Sequence, residues 1–265
     1  MNNTFDFNRF SLLVKRQWVE NRKLFLMASF GILGILVIIN SLIMKWETGY
    51  LHENGRFAIF LLSIFFAGSV FANYVLKDLS DKNSSTSFLL VPASHFEKFL
   101  TGVFYTFIVF PIVFLTLFYV IDLGFVSIGN NIKDGLKVPG IKNAQIYNFM
   151  IDSKNIRETL GEILGYWLVI QAFILVGAAQ FEGRSYIKTA STGFAVLFLV
   201  GFTAYLSNRL FLDDIILQFQ HKGYSRELVK PTKQLFNNIF VIVLIYVLPP
   251  ILLVIAYFKL KEKQV

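Results

Sequence analysis

Ser94 and Glu97 are the residues whose types and spacing first suggest specific chemistry. They stand at capping-box spacing, just before a long apolar run. A serine hydroxyl and a glutamate carboxylate so placed satisfy the free N–H groups at the start of a helix. Pro92 lies two residues earlier, where it cannot interrupt that helix. The other chemical signatures sought are absent from the sequence. It contains no G-x-x-x-x-G-K-[ST], so no P-loop, and no H-E-x-x-H or G-x-S-x-G. The three histidines, His52, His95 and His221, fall in separate loops without metal-ligand spacing. With no cysteine, disulfides, thiolate metal sites and cysteine nucleophiles are excluded. The sequence therefore argues against an enzyme and calls for no cofactor and no metal.

The elements that must carry Ser94 and Glu97 follow from composition. The chain has 265 residues, 55% hydrophobic and 16% charged. Its mean hydropathy is +0.59. Soluble domains are about 45–50% apolar and about a quarter charged. Here the excess collects in blocks long enough to cross a bilayer, which takes about 20 residues. Six blocks qualify: 24–44, 57–76, 99–121, 163–181, 189–206 and 239–258. They are continuous rather than alternating, so a β-barrel does not fit. The expected fold is all-α, a single polytopic transmembrane domain over 1–265 with six spans. The first block is too long for a signal-peptide core and no small-residue cleavage site follows it, so it should remain as a span.

Charge sets the expected orientation. The net charge is +8, and the basic residues flank apolar blocks, as in membrane proteins rather than nucleic-acid binders. Arg9, Lys15, Arg16, Arg22 and Lys23 precede the first span. Only Lys45 and Arg56 occupy the loop after it. This asymmetry predicts a cytoplasmic N-terminus. Six spans return the C-terminus to that side, where Lys259, Lys261 and Lys263 lie. Residues 122–162 and 207–238 then face outward. The first of these carries turn signals at Gly129-Asn130-Asn131, Asp134-Gly135 and Pro139-Gly140. The second contains an apolar stretch, 210–219, suited to a surface helix or to packing on the other loop.

Residues 1–23 form a cytoplasmic amphipathic segment. Phe7, Phe10, Val14 and Trp18 fall on one helical face, with Arg9, Arg16, Glu20 and Lys23 opposite. Such a helix suits the interface before the chain turns into the first span. Between spans two and three, Phe88 to Val91 form an apolar patch in a segment expected to face the cytoplasm. A patch of this kind needs a cover: lipid, the protein itself or a partner.

Within the spans the polar groups are neutral: Asn40, Asn73, Gln171 and Gln180, read as helix-to-helix hydrogen bonds. Asp122, Glu162 and Glu182 sit at span ends. Only their meeting in one cavity would favour an intramembrane enzyme. A proton-driven transporter would need charges at depth. Pro111, Pro249 and Pro250 interrupt spans three and six, consistent with ordinary packing or with a moving bundle. Gly161 and Gly165 make a G-x-x-x-G, read as an intramolecular contact.

The plan resembles the permease subunits of ABC-2-type transporters, including ABC-2-like membrane proteins of Bacteroidetes-type bacteria. The resemblance rests on the six spans, the amphipathic entry helix, and the run Ser87-Phe88-Leu89-Leu90-Val91-Pro92-Ala93-Ser94-His95-Phe96-Glu97-Lys98. It also rests on the short turn Glu182-Gly183-Arg184-Ser185-Tyr186-Ile187-Lys188-Thr189. The loop after span three is longer than the family pattern. The resemblance implies an exporter of a lipid-like, peptide or other amphipathic compound in the bacterial cytoplasmic membrane. It also implies a separate ATPase subunit and a second permease chain, identical or similar. Phe88, Leu89, Leu90, Pro92, Ser94, Glu97 and Lys98 would form the ATPase-coupling loop, and Arg184 and Lys188 a second cytoplasmic contact. The alternative is a membrane protein of the same architecture that does not transport: an immunity, sensing or assembly factor.

Overall fold

The computed structural model describes residues 5–46, 53–75, 93–136, 154–181, 183–207 and 242–262. Among them there is no strand. Six helical rods are long and apolar enough to cross a membrane. The protein is all-α, with the architecture of a multi-pass membrane protein.

The first rod is α1, Phe7–Trp46, forty residues without a break. At about 1.5 Å per residue it is about 60 Å long, twice the about 30 Å of a hydrocarbon core. The predicted turn between an interfacial segment and a first span is not there, because nothing near residue 24 breaks helical geometry. Glycine and proline are absent until Gly31. α2, Glu53–Val75, follows. The third rod comprises α3 (His95–Phe104), a π-helical segment (Tyr105–Val109) and α4 (Phe110–Leu136). It continues well past residue 121. The turn signals at 129–131 and 134–135 are overridden, and the chain stays helical through both. Pro139-Gly140 lies outside the described residues. α5, Lys154–Gln180, also starts earlier than the expected fourth span. α6 is Ser185–Ser207. The sixth rod joins a second π segment, Val243–Val247, to α7, Leu248–Glu262.

Both π segments end two residues before a proline. Phe110 N–H reaches Tyr105 O, and Leu248 N–H reaches Val243 O. Proline removes a helical donor and crowds the preceding turn. Widening that turn by one residue relieves the crowding while keeping neighbouring backbone groups bonded. Pro111 and Pro249-Pro250 therefore modify their rods without breaking them.

The core is aromatic where α2 meets α4, and small residues line it where α5 meets its neighbours. Phe110, Phe114 and Phe118 stack along α4 at 5.8 and 6.2 Å. Phe71 meets Phe110 at 5.1 Å and Phe60 meets Phe118 at 5.1 Å. These contacts set the antiparallel register of α2 against the third rod. α5 sits among α2, α6 and the sixth rod, and its close approaches use glycine. A Cβ on Gly165 would stand 2.2 Å from Ile245 Cγ2, and one on Gly177 would stand 2.0 Å from Thr189 Oγ1. Small residues permit such crossings where lipid offers no hydrophobic drive. Gly161, the other half of the G-x-x-x-G, has nothing within 4 Å.

Candidate functional site: a clasp at the start of the third rod

The capping box forms as its spacing predicts. Glu97 N–H donates to Ser94 Oγ at 3.2 Å, and Ser94 N–H donates to Glu97 Oε2 at 2.9 Å. The other carboxylate oxygen has a longer-range task. Glu97 Oε1 accepts Asp6 N–H at 2.8 Å and lies 3.1 Å from Arg9 Nη2. The Glu97 side chain is fully buried. One carboxylate thus caps its own helix and holds the segment leading into α1. Bonds from N–H groups and a guanidinium to an ionised carboxylate are the stronger kind.

Aromatic rings surround this carboxylate. Phe5 meets Phe96 at 6.1 Å and Phe10 meets Phe104 at 6.1 Å. From the far end of the chain, Tyr257 of α7 packs on Phe96 at 6.1 Å and Phe99 at 5.7 Å. The beginning of α1, the beginning of α3 and the end of α7 are therefore joined at one place. Further along α1, Tyr105 Oη donates to Val14 O at 2.8 Å and Tyr74 Oη donates to Asn21 Oδ1 at 3.1 Å. The first half of α1 is stitched to the bundle along its length.

The predicted site residues distribute as follows. Ser94 and Glu97 form the clasp, and Lys98, next to them, is buried. Phe88, Leu89, Leu90 and Pro92 lie outside the described residues. On α1, Phe10 and Val14 are half-buried against the bundle. Phe7 is 70% exposed. Trp18 is largely exposed, with one face 6.1 Å from Phe25. Arg9, expected on the polar face, instead turns to Glu97, because a buried carboxylate attracts the nearest cation. Arg16 and Glu20 pair with each other on the exposed side at 2.6 Å.

Arg184 and Lys188 are exposed at the turn between α5 and α6. The turn is tight: Gly183 and Arg184 both have positive φ, 54° and 51°. For arginine that backbone region is strained. The turn is pinned to α2, where Ser185 Oγ donates to Asn73 Oδ1 at 3.2 Å and Tyr186 Oη lies 3.1 Å from Ser69 Oγ.

Sequence reading missed a buried ion pair towards the opposite end of the bundle. Arg56 of α2 and Asp122 of α4 make a two-pronged contact, Nε to Oδ1 at 2.7 Å and Nη2 to Oδ2. Both side chains are almost entirely enclosed. Arg56 reads as a loop cation and Asp122 as a span-end acid only while the spans are considered singly. The signal is their equal depth once Phe60 is set against Phe118. Glu162 is exposed on α5, and Glu182 lies outside the described residues.

Of the neutral polar groups, Gln171 bridges helices. Its amide oriented to satisfy both partners donates to Gly68 O at 2.9 Å and accepts from Trp167 Nε1 at 3.1 Å. Asn73 bridges to α6 through Ser185. Asn40 bonds only within its own helix, to Leu36 O at 2.8 Å. Gln180 is exposed. Among the described residues no three His, Asp or Glu side chains gather as a metal site would need.

No protein-family model matches the chain, and neither does any curated protein or solved structure.

Proposed function

We propose that the chain is the membrane-spanning subunit of an ATP-driven exporter of the ABC-2 type. It works with a separate ATPase and a second permease chain, identical or similar, on a lipid-like, peptide or other amphipathic substrate. The setting is the bacterial cytoplasmic membrane, with both termini in the cytoplasm.

One observation carries this reading: the Glu97 clasp. The segment between α2 and α3 is where the resemblance puts contact with the ATPase. Directly after it, Glu97 connects the start of the third rod to the segment leading into α1, and Phe96 and Phe99 connect it through Tyr257 to α7. A push on that segment reaches three of the six rods through direct contacts. A rod kept whole over forty residues passes displacement along its length rather than absorbing it at a hinge.

The test is a mild-detergent pull-down of the tagged chain from its native membrane, read by mass spectrometry. A P-loop ATPase should co-purify near one-to-one and be lost when Phe88 and Leu89 are both changed to Asp. An intact, folded chain with no ATPase attached would sink the reading and leave a non-transporting membrane protein. Association and export that both survive the double Asp change would overturn the coupling role of Phe88 and Leu89.

A further inference from the structure

Between the second half of α1 and the first half of α2 lies an apolar groove of about 640 Å³. Its walls include Ile32, Ile35, Ile39 and Ile43 from α1, and Ala58 and Leu62 from α2. We propose that this groove is a binding site for one acyl chain of a phospholipid, held as a resident lipid.

Four observations point to that occupant. First, the groove lies between two rods that are each apolar and long enough to cross a bilayer, so hydrocarbon is the medium that reaches it. Second, apart from Trp46 at its end, its polar side chain is Ser63, which is already satisfied. The hydroxyl lies 2.6 Å from Ile59 O and 3.0 Å from Phe60 O of its own helix. A ligand with polar groups along its length would find no partner there. Third, the length suits an acyl chain. Ile32 to Trp46 covers about 21 Å of α1 at about 1.5 Å per residue. One leaflet contributes about 15 Å of hydrocarbon, so an acyl chain fits lengthwise. Fourth, the groove ends at Trp46, which is 90% exposed, beside Lys45 in the same last turn of α1. Tryptophan favours the headgroup level, and a lysine there meets lipid phosphate.

Retention follows from the walls. Lipid gives no hydrophobic drive for one apolar contact over another. A chain in a concave slot still gains dispersion contacts on two sides, where a chain on a convex helix gains them on one. The isoleucine side chains are stiff at χ1, so ordering the chain against them costs little additional freedom. This inference does not depend on the chain being a permease.

The test uses the full chain in vesicles of phosphatidylethanolamine and phosphatidylglycerol containing a phospholipid with a photoreactive acyl chain. Cross-links are mapped by peptide mass spectrometry. Cross-links at Ile35, Ile39, Ala58 and Leu62 should exceed those at Phe198 and Leu199, exposed residues of α6, by about tenfold. Ala58→Trp fills the slot and should remove that excess while leaving thermal unfolding in detergent unchanged. Leu62→Trp, from a position already 74% exposed, gives an independent check. Uniform labelling of all bilayer-facing positions would overturn the proposal. So would cross-linking of the groove to a second copy of the chain in place of lipid.

Discussion

Glu97 and Asp6 stand 91 positions apart in sequence and share a hydrogen bond of 2.8 Å, from the Asp6 N–H to the Glu97 carboxylate. The same oxygen faces the Arg9 guanidinium at 3.1 Å. A contact usually confined to one helix end thereby fastens the chain's beginning to its third rod.

Glu97→Ala removes the cap and the anchor together. It should destabilise the protein by about 1–2 kcal/mol, since charged hydrogen bonds are lost while their part-exposed donors can turn to water. Glu97→Gln keeps one of the two acceptor oxygens and turns an NH2 donor on the N–H that the other oxygen accepted, so its cost should approach that of Glu97→Ala. The sequence has no cysteine, so single cysteines can be placed without background. A cysteine at Phe10 should react faster with a thiol reagent in the Glu97→Ala chain. An unchanged rate would mean that the anchor does not hold α1.

Arg56→Met alone should cost about 3–5 kcal/mol, because the Asp122 carboxylate is left enclosed without its counter-charge. Adding Asp122→Leu should recover most of that loss, since a buried pair is often replaceable by apolar groups. Thermal unfolding of the two single variants and the double variant forms the cycle. Additive losses would show that the pair is not coupled.

Gly165→Ala and Gly161→Ala are the same change in different surroundings. The first drives a methyl group into Ile245 and should cost about 1–3 kcal/mol. The second meets open space and should be neutral or stabilising by about 0.5–1 kcal/mol. Trimming Ile245 to Ala should offset the Gly165→Ala penalty on melting. A melting loss of equal size at both glycines would contradict the packing described for Gly165.

Arg184→Gly relieves a left-handed backbone and should stabilise the fold by about 1 kcal/mol. The strain is tolerated by the wild-type chain at an exposed cation. If that cation contacts a partner, the glycine chain should melt higher yet recover less ATPase in the pull-down. A chain that melts higher and binds undiminished would assign Arg184 no role beyond the turn.

The all-α plan and the six spans were legible because a bilayer leaves so few solutions: an apolar run of about 20 residues must be a helix. The capping box was legible because its spacing is local. Its second use was not, since nothing in Ser94-to-Glu97 spacing announces a bond to Asp6. The turn signals at 129–131 and 134–135 misled because glycine and asparagine only disfavour a helix by a fraction of a kcal/mol to about 1 kcal/mol each. A rod already running from His95 can carry them. The break expected near residue 24 rested on bilayer thickness, and α1 simply extends beyond it. Arg56 and Asp122 were each read correctly as flanking an apolar block, and their meeting depended on a helix register that neither block contains.

That meeting has a consequence for how the protein enters the membrane. Inserted one at a time, α2 and α4 would each bring an unpartnered charge near the end of a span, at a cost below the about 2.5–3.5 kcal/mol of the bilayer centre. Entering as a pair, with Phe60 already on Phe118, the two charges neutralise each other on the way in. The second and third rods are thus expected to leave the insertion machinery together. Stalling synthesis after α2 should leave that helix more accessible from the aqueous side than stalling after α4, and Asp122→Leu should abolish the benefit of waiting.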